Sequence, residues 1–225
     1  MRLRHSLFLA APLAALLLAM APRAGATVIV PNEGATPWMS WTYTLTEDFT
    51  GTAGIGVSDL GDSIVESYLM LDNLQGFGLS NPGFETGDLS GYTANGSGAS
   101  VVGGFTDPLG RSYSPTEGGW LAVLGSVDGD SGASTGFLPE PGATDGTWLA
   151  FDVALSAGDV ISFDWAFATT DYIPFRDFAF VYAVDDAGQL VFFEKLAQIG
   201  AAPAPAPLAL LGAGLLAAAV RRRRA

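Results

Sequence analysis

The sequence predicts an all-β protein, an antiparallel β-sandwich or jelly roll, flanked by an N-terminal signal peptide and a C-terminal apolar helix. Three observations favour the β class. Apolar and polar residues alternate over short runs, turn-forming glycine, serine and threonine are abundant between these runs, and no long stretch before the tail has helical periodicity. Many short strands separated by turns are typical of sandwiches and barrels.

The predicted strands are short runs with alternating polarity. The clearest alternation lies at 41–46 and at 161–167, where four large apolar side chains fall on one face. The runs at 178–184 and 190–196 flank the residues Asp185-Asp186-Ala187-Gly188. Aspartate and glycine supply turn geometry, so this pair is predicted to form a hairpin. Further strands are predicted at 67–71, 120–124 and 148–153.

The N-terminus has the three parts of a secretory signal. Two arginines precede an apolar run at 7–20, and the small residues Ala24-Gly25-Ala26 follow it. We therefore expect residues 1–26 to be a signal peptide that directs export through Sec-type machinery. The alternative is a transmembrane helix, but the apolar run is shorter than the roughly 20 residues of a span and Pro12 interrupts it.

The C-terminal tail, residues 201–225, also has three parts. A Pro-Ala run precedes an apolar segment at 208–220, and four arginines follow it. Proline keeps the first part free of helix, the second part can enter a bilayer, and arginines stay cytoplasmic. The apolar segment has 13 residues, too few for a firm permanent anchor, and this favours a sorting signal. The sorting residues are Pro203, Pro205, Pro207, Arg221, Arg222, Arg223 and Arg224.

This tail resembles the PEP-CTERM class of bacterial sorting tails, including its VPLPA-like variants, over about residues 202–225. Pro205-Ala206-Pro207 stands where the strict motif has Pro-Glu-Pro. The resemblance implies an exosortase-like membrane protease as partner. It also implies a precursor tethered to the inner membrane and a product at the cell surface or in the extracellular matrix. The alternative is an uncleaved membrane tail.

Charge in the mature region excludes one class of partner. The whole chain has a formal charge of −13, and seven of its ten basic residues lie in the two terminal segments. Only Arg111, Arg176 and Lys195 accompany the 23 acidic residues between them, which gives −20. Nucleic acid is excluded because binding a polyanion requires clustered cations. Calcium and neutral polysaccharide fit this charge, and so does an acidic surface that simply favours solubility.

Two residue types that perform much of protein chemistry are absent from the mature region. The chain has no cysteine, and its only histidine, His5, lies in the signal peptide. This excludes Cys-His and Ser-His-Asp nucleophiles, ordinary zinc sites and disulfides. Roughly 175 residues are enough to bury a core without disulfides. We therefore expect one β-sandwich domain at 27–200.

A segment at 81–92 reads N-P-G-F-E-T-G-D-L-S-G-Y. It resembles the opening motif of galactose-binding-like jelly rolls, which include carbohydrate-binding modules, with Tyr92 in place of the usual Trp. The resemblance implies that Phe84 enters the core. It also implies that Glu85 faces a calcium ion that ties the first strand to the last.

The order of segments departs from that family. Residues 41–49, 61–63 and 67–73 resemble strands that usually close such a domain, yet here they precede the opening motif. Either 27–75 are the closing strands of a circularly permuted sandwich, or they end one copy and an incomplete second copy follows. Permutation is expected to bring Asp72 near Glu85, where the two could hold a structural Ca²⁺. The alternative is that they are an ordinary strand end and turn.

A second, weaker metal motif is Asp128-Gly129-Asp130. Oxygen ligands at alternating positions can converge on calcium, and glycine permits the tight turn that this requires. The acidic ligands and the terminal Glu of an EF-hand loop do not follow. A solvated turn explains the same residues.

Three classes of function remain. The first is a non-enzymatic exported protein of the surface or matrix, which the sequence favours. The second is a carbohydrate-binding module, for which Trp38, Tyr92 and Tyr172 could stack on sugars, although strand-spaced aromatics often belong to the core. The third is an enzyme, because two carboxylates suffice for a glycosidase, but no pair is singled out. Trp120, Trp148 and Trp165 lie in apolar runs and are predicted to be core residues.

Overall fold

The computed structural model describes residues 26–126 and 132–201, which form two packed β-sheets and one small hairpin. All strand pairs are antiparallel except that of the first strand with the last. The all-β prediction is therefore confirmed. The strands are β1 (Val28–Val30), β2 (Met39–Thr44), β3 (Phe49–Leu60), β4 (Ser67–Gln75), β5 (Thr93–Asn95), β6 (Ala99–Val102), β7 (Phe105–Thr106), β8 (Ser112–Tyr113), β9 (Leu121–Gly125), β10 (Ala133–Ser134), β11 (Ala143–Leu155), β12 (Val160–Thr169), β13 (Phe178–Asp185) and β14 (Leu190–Ile199).

The two large sheets differ in size. Sheet A has the order β1-β14-β13-β3-β11-β10, and β5 also pairs with β11. Sheet B has the order β2-β12-β4-β9-β6. The remaining strands, β7 and β8, form a hairpin between β6 and β9 in the chain. Neighbouring strands are therefore often distant in sequence.

The hydrophobic core lies between the two sheets. Sheet A contributes alternate residues such as Leu149 and Phe151, and sheet B contributes Phe163, Trp165 and Phe167. These side chains are almost fully buried in one cluster. Because successive side chains of a strand point to opposite faces, each strand places every second residue in this layer. The molecule is thus a β-sandwich.

Most strands lie where alternation predicts them. Each of the seven predicted runs overlaps an observed strand, namely β2, β4, β9, β11, β12, β13 and β14. The predicted hairpin is confirmed as β13 and β14, which pair from Phe178↔Gln198 to Val184↔Leu190. Its turn is closed by the Asp185 carboxylate, which accepts hydrogen bonds from the N–H groups of Ala187 and Gln189.

Alternation of polarity along the sequence predicts no strand at the position of the central strand β3. Glycines at 51, 54 and 56 weaken its pattern, because glycine is depleted in strands. The structure supplies the reason for two of them. A Cβ at Gly54 would lie 2.2 Å from Tyr182 Cε1, and one at Gly56 would lie 2.4 Å from Trp148 Cβ. Side chains of the flanking strands fill the space above the β3 backbone.

The first 75 residues are an integral part of the sandwich. β3 lies between β13 and β11 in sheet A, and β4 lies between β12 and β9 in sheet B. β1 lies beside β14 at the edge of sheet A. Whether this order arose by permutation stays a prediction. In the described ranges, no helix is long and apolar enough to cross a membrane. The predicted signal peptide, apart from Ala26, and the predicted tail with its apolar helix, apart from Ala201, lie outside those ranges.

Candidate functional site

Asp72 is fully buried on β4 and holds a loop by its carboxylate. Its Oδ2 accepts hydrogen bonds from the backbone N–H groups of Thr116 (2.6 Å) and Glu117 (3.0 Å). Its Oδ1 accepts from the Asn73 N–H at 2.7 Å. Burial raises the pKa of the Asp72 carboxyl, and these hydrogen bonds oppose the rise. The carboxylate thus replaces water as the acceptor for three backbone donors.

Glu85 holds the next part of the same loop. Its Oε1 accepts hydrogen bonds from the N–H groups of Gly119 (3.0 Å) and Trp120 (3.1 Å), and its Oε2 lies 3.1 Å from the Gly119 nitrogen. A Cβ at Gly118 would lie 2.2 Å from Glu85 Oε1, and Gly118 has a φ of 60°. Only glycine fits this close approach without strain.

Asp72 therefore binds the backbone at the start of the 116–120 loop, and Glu85 binds the backbone at its end. The sequence-based prediction paired them around calcium, and the structure gives each of them backbone amides as partners. Within residues 26–126 and 132–201, no group of three or more His, Cys, Asp or Glu side chains is placed to hold a metal ion. We derive no function through calcium, and occupancy by Ca²⁺ stays a prediction.

Asp164 extends this cluster to the neighbouring strand. It is the register partner of Asp72 across β12 and β4. The Thr116 hydroxyl lies 2.9 Å from Asp164 Oδ2 and 3.1 Å from Asp72 Oδ2. The Ser40 hydroxyl also donates to Asp164, at 2.5 Å. Because the Thr116 hydroxyl has one proton, it can donate to only one of the two aspartates at a time.

The 81–92 segment forms a compact turn structure whose aromatic residues pack into the sandwich. Phe84 is fully buried, as the resemblance implies, and its ring stacks on Tyr92 with centroids 5.1 Å apart. The Tyr92 hydroxyl donates to the Asn81 carbonyl at 3.0 Å, and its ring edge meets Phe151. Burial raises the pKa of Tyr92. Tyr92 is thus chiefly a packing residue.

The other aromatic candidates lie on separate parts of the surface. Trp38 is half-buried and packs on the cluster on the outer face of sheet B, and its Nε1 donates to the Ser114 carbonyl at 3.0 Å. Tyr172 is 49% exposed in the loop before β13. Trp148 and Trp165 are buried as predicted. The prediction that Trp120 belongs to the core is wrong: it is 38% exposed, because it precedes β9 and lies over Gly87.

Several predicted residues lie outside the described ranges. These are the weaker metal candidates Asp128 and Asp130 and the whole sorting signal, with Pro203, Pro205, Pro207 and Arg221 to Arg224.

A buried carboxyl pair inside the sandwich was missed by the sequence analysis. Asp59 follows the inward-facing Val57 on β3, and Asp177 lies just before β13. The two side chains are hydrogen-bonded to each other. Asp177 also accepts from the Leu60 N–H (3.1 Å) and the Ser67 hydroxyl (2.7 Å). This pair links β3, β4 and β13 at one end of the core.

Burial and mutual repulsion keep this pair from ionising fully. Burial is the main cause that raises the pKa of both aspartates, and the charge of Asp145 adds to the rise for Asp59. At neutral pH the pair therefore keeps a proton that two separate aspartates would lose. Only the alternation of β3 could have suggested an inward Asp59, and that strand was not predicted.

We expect the substitution Asp72→Asn to lower the free energy of unfolding by about 2–3 kcal/mol. Either orientation of the carboxamide directs its NH₂ group at a backbone N–H, so a buried donor loses its acceptor. Urea unfolding, with calcium chloride and with chelator, measures the effect. The more exposed control Glu85→Gln is expected to cost about 1 kcal/mol.

The calcium prediction is tested by the same curves. It requires calcium to raise the unfolding midpoint of the wild type and to have less effect on Asp72→Asn. Equal midpoints with calcium and with chelator would contradict it.

No protein-family model, no curated protein and no solved structure matches the chain.

Proposed function

We propose that this chain is an exported, non-enzymatic protein of the cell surface or extracellular matrix, sorted by its tail and active by association. The sandwich would be the displayed domain, and we infer that it is a jelly roll. Sec-type export machinery and an exosortase-like membrane protease are the implied partners. The inner membrane would hold the precursor only until the tail is processed.

The observation that carries this proposal is the short connection between the fold and the tail. β14 ends at Ile199, and only Gly200, Ala201 and Ala202 separate it from Pro203, the first proline of the Pro-Ala run. The Gly200 N–H donates to the Val30 carbonyl at 2.9 Å, so the chain is fastened to β1 up to this point. A membrane-held tail would therefore anchor the sandwich by one edge of sheet A and leave its other surfaces facing outward.

The roles of the acidic residues support a function without catalysis. Asp72 and Glu85 accept hydrogen bonds from a loop backbone, and Asp59 and Asp177 are buried inside the sandwich. General acid-base chemistry would require such pairs to meet a substrate in an open cleft. Both sets instead explain how the fold is held together.

Carbohydrate binding is the alternative function. It is favoured by one observation, a groove with aromatic and polar lining on the outer face of sheet A.

Subcellular fractionation of the native host tests the proposed role. We expect the wild-type protein at the cell surface or in the medium. A variant with Arg221 to Arg224 replaced by alanine is expected to be exported but left unsorted, because the arginines that keep the tail end in the cytoplasm are gone. Wild-type protein found only in the cytoplasm would overturn the proposal.

A further inference from the structure

The outer face of sheet A carries an elongated groove. Two depressions, of about 640 Å³ and about 650 Å³, lie over strands β11, β3 and β13. They share the lining residues Thr52, Asp152, Val184 and Gly188, and so form one continuous groove. We call this the sheet A groove. Neither Asp72 nor Glu85 lines it.

Glycines of β3 shape the floor of the groove. The outward positions of β3 include Gly54 and Gly56, which have no side chain of their own. The Tyr182 ring occupies the space above Gly54, where a Cβ would lie 2.2 Å from its Cε1. Aromatic rings therefore pack directly against the sheet. The β3 side chains that line the groove are those of Thr50 and Thr52.

Phe137 adds an exposed ring to this floor. It is 42% exposed, and its centroid lies 5.3 Å from that of Trp148 and 5.2 Å from that of Tyr182. Trp148 and Tyr182 are themselves buried and fix the ring from below. An exposed aromatic ring on a rigid aromatic support can stack on an apolar ligand face without further ordering.

Polar groups surround the rings. The Thr52 hydroxyl donates to Asp152 Oδ1 at 3.0 Å, which fixes the carboxylate and leaves Oδ2 for a ligand. Thr93 and Asn95 line the same depression from β5. Hydroxyl, amide and carboxylate groups beside an aromatic surface can bind a ligand that has both C–H faces and hydroxyls.

Charge restricts the ligand further. Among residues 26–126 and 132–201, those that line the groove include the acids Asp152, Asp185 and Asp186 and no lysine or arginine. Polyanions such as nucleic acid or uronic acid polymers would be repelled. A neutral polyol is not repelled, and its hydroxyls can donate to the carboxylates. Two connected depressions can hold more than one ring, which suits a chain better than one small molecule.

We propose that the sheet A groove binds a neutral polysaccharide chain, with Phe137 as the stacking residue and Asp152 as the principal hydrogen-bond acceptor. This inference deepens the proposed function and rests on it, because it names the partner with which an exported, displayed sandwich associates. It differs from the sequence-based choice of Trp38, Tyr92 and Tyr172. Of these three residues, only Tyr92 lines the groove.

Affinity electrophoresis of the mature protein recovered from its host tests the groove. The probes are laminarin, hydroxyethylcellulose and galactomannan, with polygalacturonate as the anionic control. At least one neutral polymer is expected to retard the protein, and polygalacturonate is not. Phe137→Ala and Asp152→Asn are each expected to weaken binding by about fivefold or more.

Tyr172→Ala is the matched control, because it removes an exposed aromatic ring outside the groove and is expected to bind like the wild type. Circular dichroism and the melting temperature verify that each variant is folded. The inference is overturned by the absence of binding to all three neutral polymers. It is equally overturned if Phe137→Ala and Asp152→Asn bind normally, or if Tyr172→Ala alone fails to bind.

Failure of the groove and failure of the proposed function are distinguishable. Surface-located protein that binds none of the polymers would contradict polysaccharide binding in the groove and would not affect the proposed exported role. Protein that binds laminarin through Phe137 but stays in the cytoplasm would contradict the exported role and would not affect the proposal that the groove binds polysaccharide.

Discussion

Raising the pH from 5 to 9 is expected to destabilise the sandwich, because Asp59 and Asp177 must lose protons inside it. Both side chains are almost fully buried. Burial, with the repulsion between the two carboxyls, raises the pKa of Asp59 to about 9, and burial raises the pKa of Asp177 to about 7. In the unfolded chain, both ionise near pH 4, at about 3.9.

The sign follows from proton binding. Between pH 4 and pH 9 the folded state holds more protons than the unfolded state, so stability falls as the pH rises. Each unit of difference in pKa corresponds to about 1.4 kcal/mol. Since the fold can relax and admit water around the ionised pair, we expect a total loss of about 3–5 kcal/mol. Urea unfolding at a series of pH values measures it.

The variant Asp59→Asn identifies the pair as the cause. A carboxamide has the shape of the protonated acid and can still donate to Asp177 without holding a titratable proton. We expect the Asp59→Asn variant to melt at a higher temperature than the wild type at pH 8.5. Its free energy of unfolding is expected to depend less steeply on pH. Asp152→Asn makes the same charge change on an exposed residue and is expected to leave the profile unchanged. Parallel profiles for all three proteins would refute the assignment.

Replacing Phe84 with alanine is expected to lower the free energy of unfolding by about 3–5 kcal/mol, the usual cost of removing a buried phenylalanine. Phe84 is fully buried in the core, and its ring stacks on Tyr92. Its φ of 58° is unfavourable for a residue with a Cβ, so packing of the ring must offset this backbone cost. The substitution leaves a cavity beside Tyr92, and alanine keeps the unfavourable backbone conformation without the packing that offsets it.

Urea unfolding of Phe84→Ala against Phe137→Ala checks this prediction. Phe137 is 42% exposed, so its replacement is expected to cost no more than about 1 kcal/mol. Equal losses for the two variants would mean that the 81–92 segment is not packed as described.

The strands with alternating side chains could be predicted from sequence, because alternation reports directly on which face is buried. The hairpin of β13 and β14 was equally accessible, since aspartate and glycine mark its turn. β3 was missed because its glycines interrupt the alternation of polar and apolar residues. These glycines make room for aromatic rings of the neighbouring strands. Such a reason cannot be read along one strand.

The candidate site was predictable in part. Asp72 and Glu85 were identified as a pair, but their shared partner, the loop at 116–120, lies far from both in sequence. The Asp59 and Asp177 pair depends on the pairing of β3 with β13, which sequence alone does not give. The groove depends on which faces remain uncovered after two sheets pack.

The most direct test of the central claim, export followed by tail sorting, is the intact mass of the protein recovered from the surface or medium of its own host. The account predicts a chain that begins near Thr27 and lacks the segment from about Pro205 onward. Recovery of a species that retains Leu208 to Arg224 would contradict sorting, and a species that retains Met1 to Ala26 would contradict export through a cleaved signal.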